Sequence, residues 1–139
     1  MMKKQLLFLV VMLLPLVANA DRSGTCGNNL AWTYIEATQT LTISGWGAMK
    51  DYSNVNTPWY SFRENIKSVI LEDGVMSIGY GAFSSCSGLT SINIPNSVRD
   101  IWSYAFYGCS SLISVTIPNS VMDICSSAFY GCSSPNYNQ

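Results

Sequence analysis

The chain contains no histidine, and charged residues make up only 11% of its 139 positions. Without imidazole there is no Ser-His-Asp or Cys-His nucleophile, no HExxH zinc helix and no imidazole metal ligand. The 7 Lys+Arg are scattered, so the basic footprint that a nucleic-acid partner requires is missing. None of the 5 cysteines forms a Cys-x-x-Cys pair, which removes a thioredoxin-like redox motif. Asp73, Asp100 and Asp123 are too sparse for a calcium loop, and no paired acid site for glycoside hydrolysis accompanies them. The inventory points away from an enzyme and implies no cofactor and no metal.

What is present begins with residues 1–20, which read as a signal peptide. Lys3 and Lys4 make a basic start, residues 5–17 are almost wholly apolar, and Ala18-Asn19-Ala20 supplies small residues for cleavage. The apolar run is shorter than the roughly 20 residues of a membrane span. Cleavage after Ala20 would leave 119 of the 139 residues, with a net charge moved from -1 to about -3 by loss of Lys3 and Lys4. The expectation is an exported chain, secreted or at the cell surface, with no stable membrane span once mature.

Self-similarity at a period of 23 dominates the rest. Ile66-Lys67-Ser68-Val69-Ile70-Leu71 returns as Leu89-Thr90-Ser91-Ile92-Asn93-Ile94 and again as Leu112-Ile113-Ser114-Val115-Thr116-Ile117. The register continues without insertion through Val75/Val98/Val121, Ile78/Ile101/Ile124, Ala82/Ala105/Ala128, Phe83/Phe106/Phe129 and Cys86/Cys109/Cys132. In each unit the alternating apolar residues predict a short strand buried on one face. Pro95 and Pro118 end that strand by fixing φ and removing a donor. Val98 and Ile101 predict a second extended segment, and the spacing of Ala105, Phe106 and Cys109 predicts one helical turn. A coil of this length cannot bury its apolar side alone, whereas stacked coils cover one another. The fold class expected is therefore a repeat solenoid, a leucine-rich-repeat-like parallel β arc with short helical turns.

Before the array, Leu30-Ala31-Trp32-Thr33-Tyr34-Ile35 and Thr40-Leu41-Thr42-Ile43-Ser44 predict an N-terminal β-hairpin cap. Gly45-Trp46-Gly47 permits tight geometry around a large ring. Thr57 and Pro58 predict the cap and first position of a short helix whose aromatics cover the first coil. The domain boundaries expected are residues 1–20 for the signal peptide and 21–65 for the capping segment. Residues 66–134 then hold three 23-residue units, and 135–139 form a short tail without a cap.

The unit Leu89-x-x-Ile92-x-Ile94-Pro95-x-x-Val98-x-x-Ile101-x-x-x-Ala105-Phe106-x-x-Cys109 resembles the BspA-like, or treponemal-type, leucine-rich repeats. The likeness covers residues 66–134, and residues 26–62 look like the leader found before such arrays. It implies secreted or surface proteins that act in adhesion, host interaction or protein binding.

Phe83, Phe106 and Phe129 read as a stacked core ladder rather than an aromatic binding stripe. Cys86, Cys109 and Cys132 read first as free thiols in that core, with a disulfide between rungs as the second reading and a metal site as the third. Cys125 lies off the ladder in the column of Gly79 and Trp102, and its pairing with Cys26 is left open. The candidate interaction surface is Trp102, Tyr104, Tyr107 and Tyr130, which fall between core columns. The expected role is protein or host-surface binding, with a glycan as the other ligand class. The alternative is a passive structural or self-associating module, a fragment of a longer adhesin.

Overall fold

The computed structural model describes residues 20–53, 55–133 and 136–138, of which residues 20, 21 and 136–138 are described in backbone only. The expected signal peptide lies outside the described residues, apart from Ala20. Three strands open the fold: β1 (Ala20–Thr25), β2 (Leu30–Ile35) and β3 (Thr40–Gly45). They pair antiparallel as β1-β2-β3, with Leu30 opposite Gly45 and Ile35 opposite Thr40 in the second hairpin. The alternation of β2 and β3 buries Leu30, Trp32, Tyr34, Leu41 and Ile43 on one side. A turn at Gln39, held at φ +53°, closes the hairpin.

From β3 onward the pairing becomes parallel. The edge of β3 carries β5 (Ser68–Leu71), which carries β7 (Ser91–Asn93), and β9 (Ser114–Thr116) lies next to β7. A second parallel ladder runs β4 (Gly47–Ala48), β6 (Val75–Ile78), β8 (Asp100–Ile101) and β10 (Asp123–Ile124). Its register is the repeat itself, with Ser77 beside Asp100 and Asp100 beside Asp123. The predicted parallel solenoid is the observed fold. The tail read as lacking a cap contributes β11 (Asn136–Asn138), parallel to β9 with Tyr137 opposite Val115.

Between the two ladders the rings of Phe83, Phe106 and Phe129 stack at centroid separations of 5.5 and 5.0 Å. Each ring is buried, and burying one such side chain stabilises by about 1.5–3 kcal/mol. The segment carrying them is a chain of i→i+3 turns, not the expected helical turn. Ala105 N–H bonds Trp102 O, Tyr107 N–H bonds Tyr104 O and Cys109 N–H bonds Phe106 O. Positive φ at Tyr104 and Gly108 breaks helical continuity on either side of Phe106.

Trp59 extends the ring stack below the first coil, 5.6 Å from Phe83 and nearly parallel to it. Its indole N–H donates to Ala82 O at 2.9 Å. One coil higher, Ala105 O receives the backbone N–H of Phe83, and Ala128 O receives that of Phe106. A side chain thus supplies the donor that another coil would have supplied. The helix expected from Thr57 begins later and is 3₁₀, spanning Tyr60–Asn65, without a side-chain cap bond. Trp32, Tyr34 and Phe62 complete the aromatic plug under the array.

The leader also explains where the first unit departs from the pattern. A Cβ at Gly74 would lie 2.3 Å from Gly45 O, and one at Gly79 would lie 2.1 Å from Lys50 O. The equivalent residues in the next coil, Ser97 and Trp102, face no leader backbone and so carry side chains.

The last coil differs from the expectation of uniform burial. Val75, Val98, Ile78 and Ile101 are fully buried, whereas Val121 and Cys132 are only partly buried and Ile124 is 43% exposed. Each inner coil is covered on both sides, whereas among the described residues this one is followed only by β11, which lies beside β9.

Candidate interaction surface

Each coil contains two positions in the left-handed region of backbone space. One column is Gly81, Tyr104 and Ser127, at φ of +64, +59 and +60°. The other is Ser85, Gly108 and Gly131, at +60, +70 and +81°. These sites turn the chain sharply before and after the buried phenylalanine. Glycine takes this conformation freely, but a residue with a Cβ is disfavoured by about 1–2 kcal/mol. Tyr104 stands there with its ring 36% exposed.

That ring is part of a continuous surface ridge. Tyr80 meets Tyr104 edge-on at 5.4 Å, Tyr104 meets Tyr107 edge-on at 5.6 Å, and Tyr107 stacks on Tyr130 at 5.6 Å with 12° between planes. The parallel pair follows from the repeat, because Tyr107 and Tyr130 occupy the same position in successive coils. Tyr80, Tyr107 and Tyr130 are 39, 38 and 67% exposed. Of the residues singled out from sequence, three join the ridge. Trp102 does not, since its exposed ring makes no ring contact among the described residues.

Tyr80 was missed by comparison of columns, because it precedes the Gly81/Tyr104/Ser127 column by one residue. Its contact with Tyr104 is diagonal between coils, and a search of neighbouring columns for aromatics would have found it. Two of the three ridge contacts are edge-on and one is stacked, and part of every ring stays exposed. Such a surface offers apolar area with hydrogen-bonding reach at a small entropic cost, the combination found at protein interfaces.

Cys109 and Cys132 of the cysteine column follow the ridge residues Tyr107 and Tyr130 by two positions. All five cysteines are free. Cys109 Sγ donates to Phe83 O at 3.1 Å and Cys132 Sγ donates to Phe106 O at 3.2 Å. Burial pushes the Cys86 thiol up to about 12, only partly opposed by Arg63. Hydrogen bonding with the Cys132 thiol, together with burial, raises Cys109 as well. Inner thiols held in the protonated state are poor nucleophiles and poor metal ligands. Among the described residues no group of three His, Cys, Asp or Glu is placed to hold a metal ion. Asp100 and Asp123 lie side by side in register, one coil apart.

Comparison with known proteins accords with this architecture. The family model described as BspA type leucine-rich repeat region (6 copies) matches residues 33–138. Among solved structures, a leucine-rich repeat protein from Eubacterium ventriosum is 22% identical with a TM-score of 0.55, over 84% of this chain and 44% of its own. One from Bacteroides ovatus is 23% identical with a TM-score of 0.52, over 76% of this chain and 32% of its own. One from Bacteroides capillosus is 19% identical with a TM-score of 0.51, over 81% of this chain and 96% of its own. The chain therefore spans less than half the length of the first two. No curated protein matches it. Among the described residues no helix is long and apolar enough to cross a membrane. Repeat proteins of this kind are generally protein-interaction modules rather than enzymes, and are typically secreted or at the surface. Matched by that family model over most of its length, the chain belongs to the BspA-type leucine-rich repeat family.

Proposed function

We propose that this protein is an exported binding module that docks another protein, in adhesion or host contact, through the tyrosine ridge of Tyr80, Tyr104, Tyr107 and Tyr130. The observation that carries the reading is Tyr104. A bulky ring stands at φ +59° where the neighbouring coils use Gly81 and Ser127. Strain at an exposed position is retained when the side chain has a use. Trp102 lies outside the ridge contacts and serves as a flanking anchor.

The test is binding to an immobilised panel of secreted and cell-surface proteins, each presented native and after enzymatic deglycosylation. Capture that survives deglycosylation and falls about thirtyfold per tyrosine in Y104S and Y107S matches two hot-spot residues of about 2 kcal/mol each. Y104G separates function from folding. It relieves about 1–2 kcal/mol of backbone strain and gives up two edge-on ring contacts of about 0.5–1.5 kcal/mol each. Its stability should stay within about 2 kcal/mol of the parent while capture falls. Equal capture by parent and variants would remove the ridge from the mechanism.

A second reading, self-association, is favoured by the last coil. Ile117, Ile124, Ala128 and Phe129 line an open cavity of about 570 Å³ on its outer side. Sedimentation of the parent and of I124K across a range of concentrations tests it. A concentration-dependent dimer lost in I124K is the expected result for that reading.

A further inference from the structure

On the opposite end of the array, the leader forms a groove of about 700 Å³, and none of the four ridge tyrosines lines it. One wall is the loop from Cys26 to Leu30, and the other is the segment from Gly45 to Lys50 that leaves β3. Backbone bonds tie the walls together: Cys26 N–H to Leu30 O at 3.0 Å, Trp46 N–H to Asn29 O at 3.1 Å and Lys50 N–H to Cys26 O at 2.8 Å. Gly47 N–H to Gly74 O at 2.9 Å then ties the second wall to the first coil. The groove is thus framed by main chain and preformed.

Trp46 lines it. Its flanking glycines Gly45 and Gly47 permit tight geometry around the ring, and the indole is 65% exposed and makes no ring contact among the described residues. Asn28, Asn29, Asn56 and Thr25 line the same groove, all exposed. Their side chains have no hydrogen-bond partner among the described residues. Lys50 is the one charged residue of the lining and has no ion-pair partner among the described residues.

We infer that this groove binds a saccharide, neutral or N-acetylated, with a pyranose ring stacked on Trp46. The apolar C–H face of a sugar matches an open indole. Its vicinal hydroxyls match side-chain amides, which donate and accept at once. The lining holds no carboxylate to attract a cationic ligand. Its apolar members are Trp46, Ala48, Tyr52 and Pro58, outnumbered by the polar and glycine positions, whereas a hydrophobic peptide needs a mostly apolar lining. Preformed walls reduce the ordering cost of binding, which matters for a weak, polar ligand.

The test uses the full chain with maltohexaose, cellohexaose, chitohexaose and lacto-N-neotetraose, read by calorimetry and by tryptophan fluorescence. One or more should bind saturably, with a fluorescence change that disappears in W46F. Affinity should fall at least tenfold in W46A and in the double variant N28A/N29A. The exposed residue Ile113 lies in the strand region of the third coil, so I113S should bind as the parent does. All these positions are exposed and their side chains unbonded, so the variants should melt with the parent. No binding by any of the four sugars overturns the inference. So does binding that W46A leaves intact.

Discussion

Cys86 has no exposed surface and sits between Phe83 and the next coil, so its ionisation is coupled to folding. In the unfolded chain the thiol titrates near 9.0, whereas burial raises it to about 12 in the fold. Cys26 behaves alike, from 9.0 to about 12, and Tyr52 rises from 10.0 to about 12, also by burial. Above pH 9 the unfolded chain releases protons that the native state keeps, so stability falls with rising pH. The contribution is fully present below pH 9 and is lost progressively between about pH 9 and 12. Urea melts should give a constant midpoint from pH 6 to 8 and a declining one from pH 9 upward. C86A should decline less steeply than the parent. A midpoint unaffected by pH up to 11 would show that these thiols titrate as they do in the open chain.

At the scale of elements, the leader is the decisive one, and Trp59 is its keystone. The indole both stacks on Phe83 and satisfies Ala82 O. W59F keeps most of the stack but leaves that buried carbonyl without its donor, which costs about 1–3 kcal/mol. W59A loses the ring as well and should cost about 3–5 kcal/mol. In urea denaturation the difference between the parent and W59F reads the bond, and the difference between W59F and W59A reads the ring. The same elements show what sequence makes legible. Columns that repeat at a fixed period declare themselves, which is why the strands, the phenylalanine stack and the cysteine column could be read directly. Trp59 falls one residue out of register with Phe83, so no column reveals its place in the stack. β1 has no apolar alternation because it is held by backbone pairing to β2, and its sequence carries no signal of that. Three of the four candidate surface residues meet in the ridge, while Tyr80 and Trp46 emerge only once turns bring neighbours of different columns together.

At the scale of the molecule, stability is a sum over neighbouring coils, because each coil touches only the ones beside it. Phe106 has a ring on both sides, Phe83 below and Phe129 above, and no exposed surface. Truncating it leaves an enclosed void in the middle of the stack, and F106A should cost about 3–5 kcal/mol. Phe129 is 8% exposed and lines the open cavity of the last coil, so F129A leaves no sealed void. Its cost should approach the transfer term alone, about 1.5–3 kcal/mol. Because an ordinary domain has only about 5–15 kcal/mol in hand, the inner substitution threatens the whole array and the outer one only its final coil. Amide exchange should report this directly. In F129A protection should fall in β9 and β10 and persist in β3 and β5, whereas F106A should lower it on both sides of the substitution. Equal losses in every strand for both variants would mean that the array unfolds as one unit, without the coil-by-coil coupling that its geometry implies.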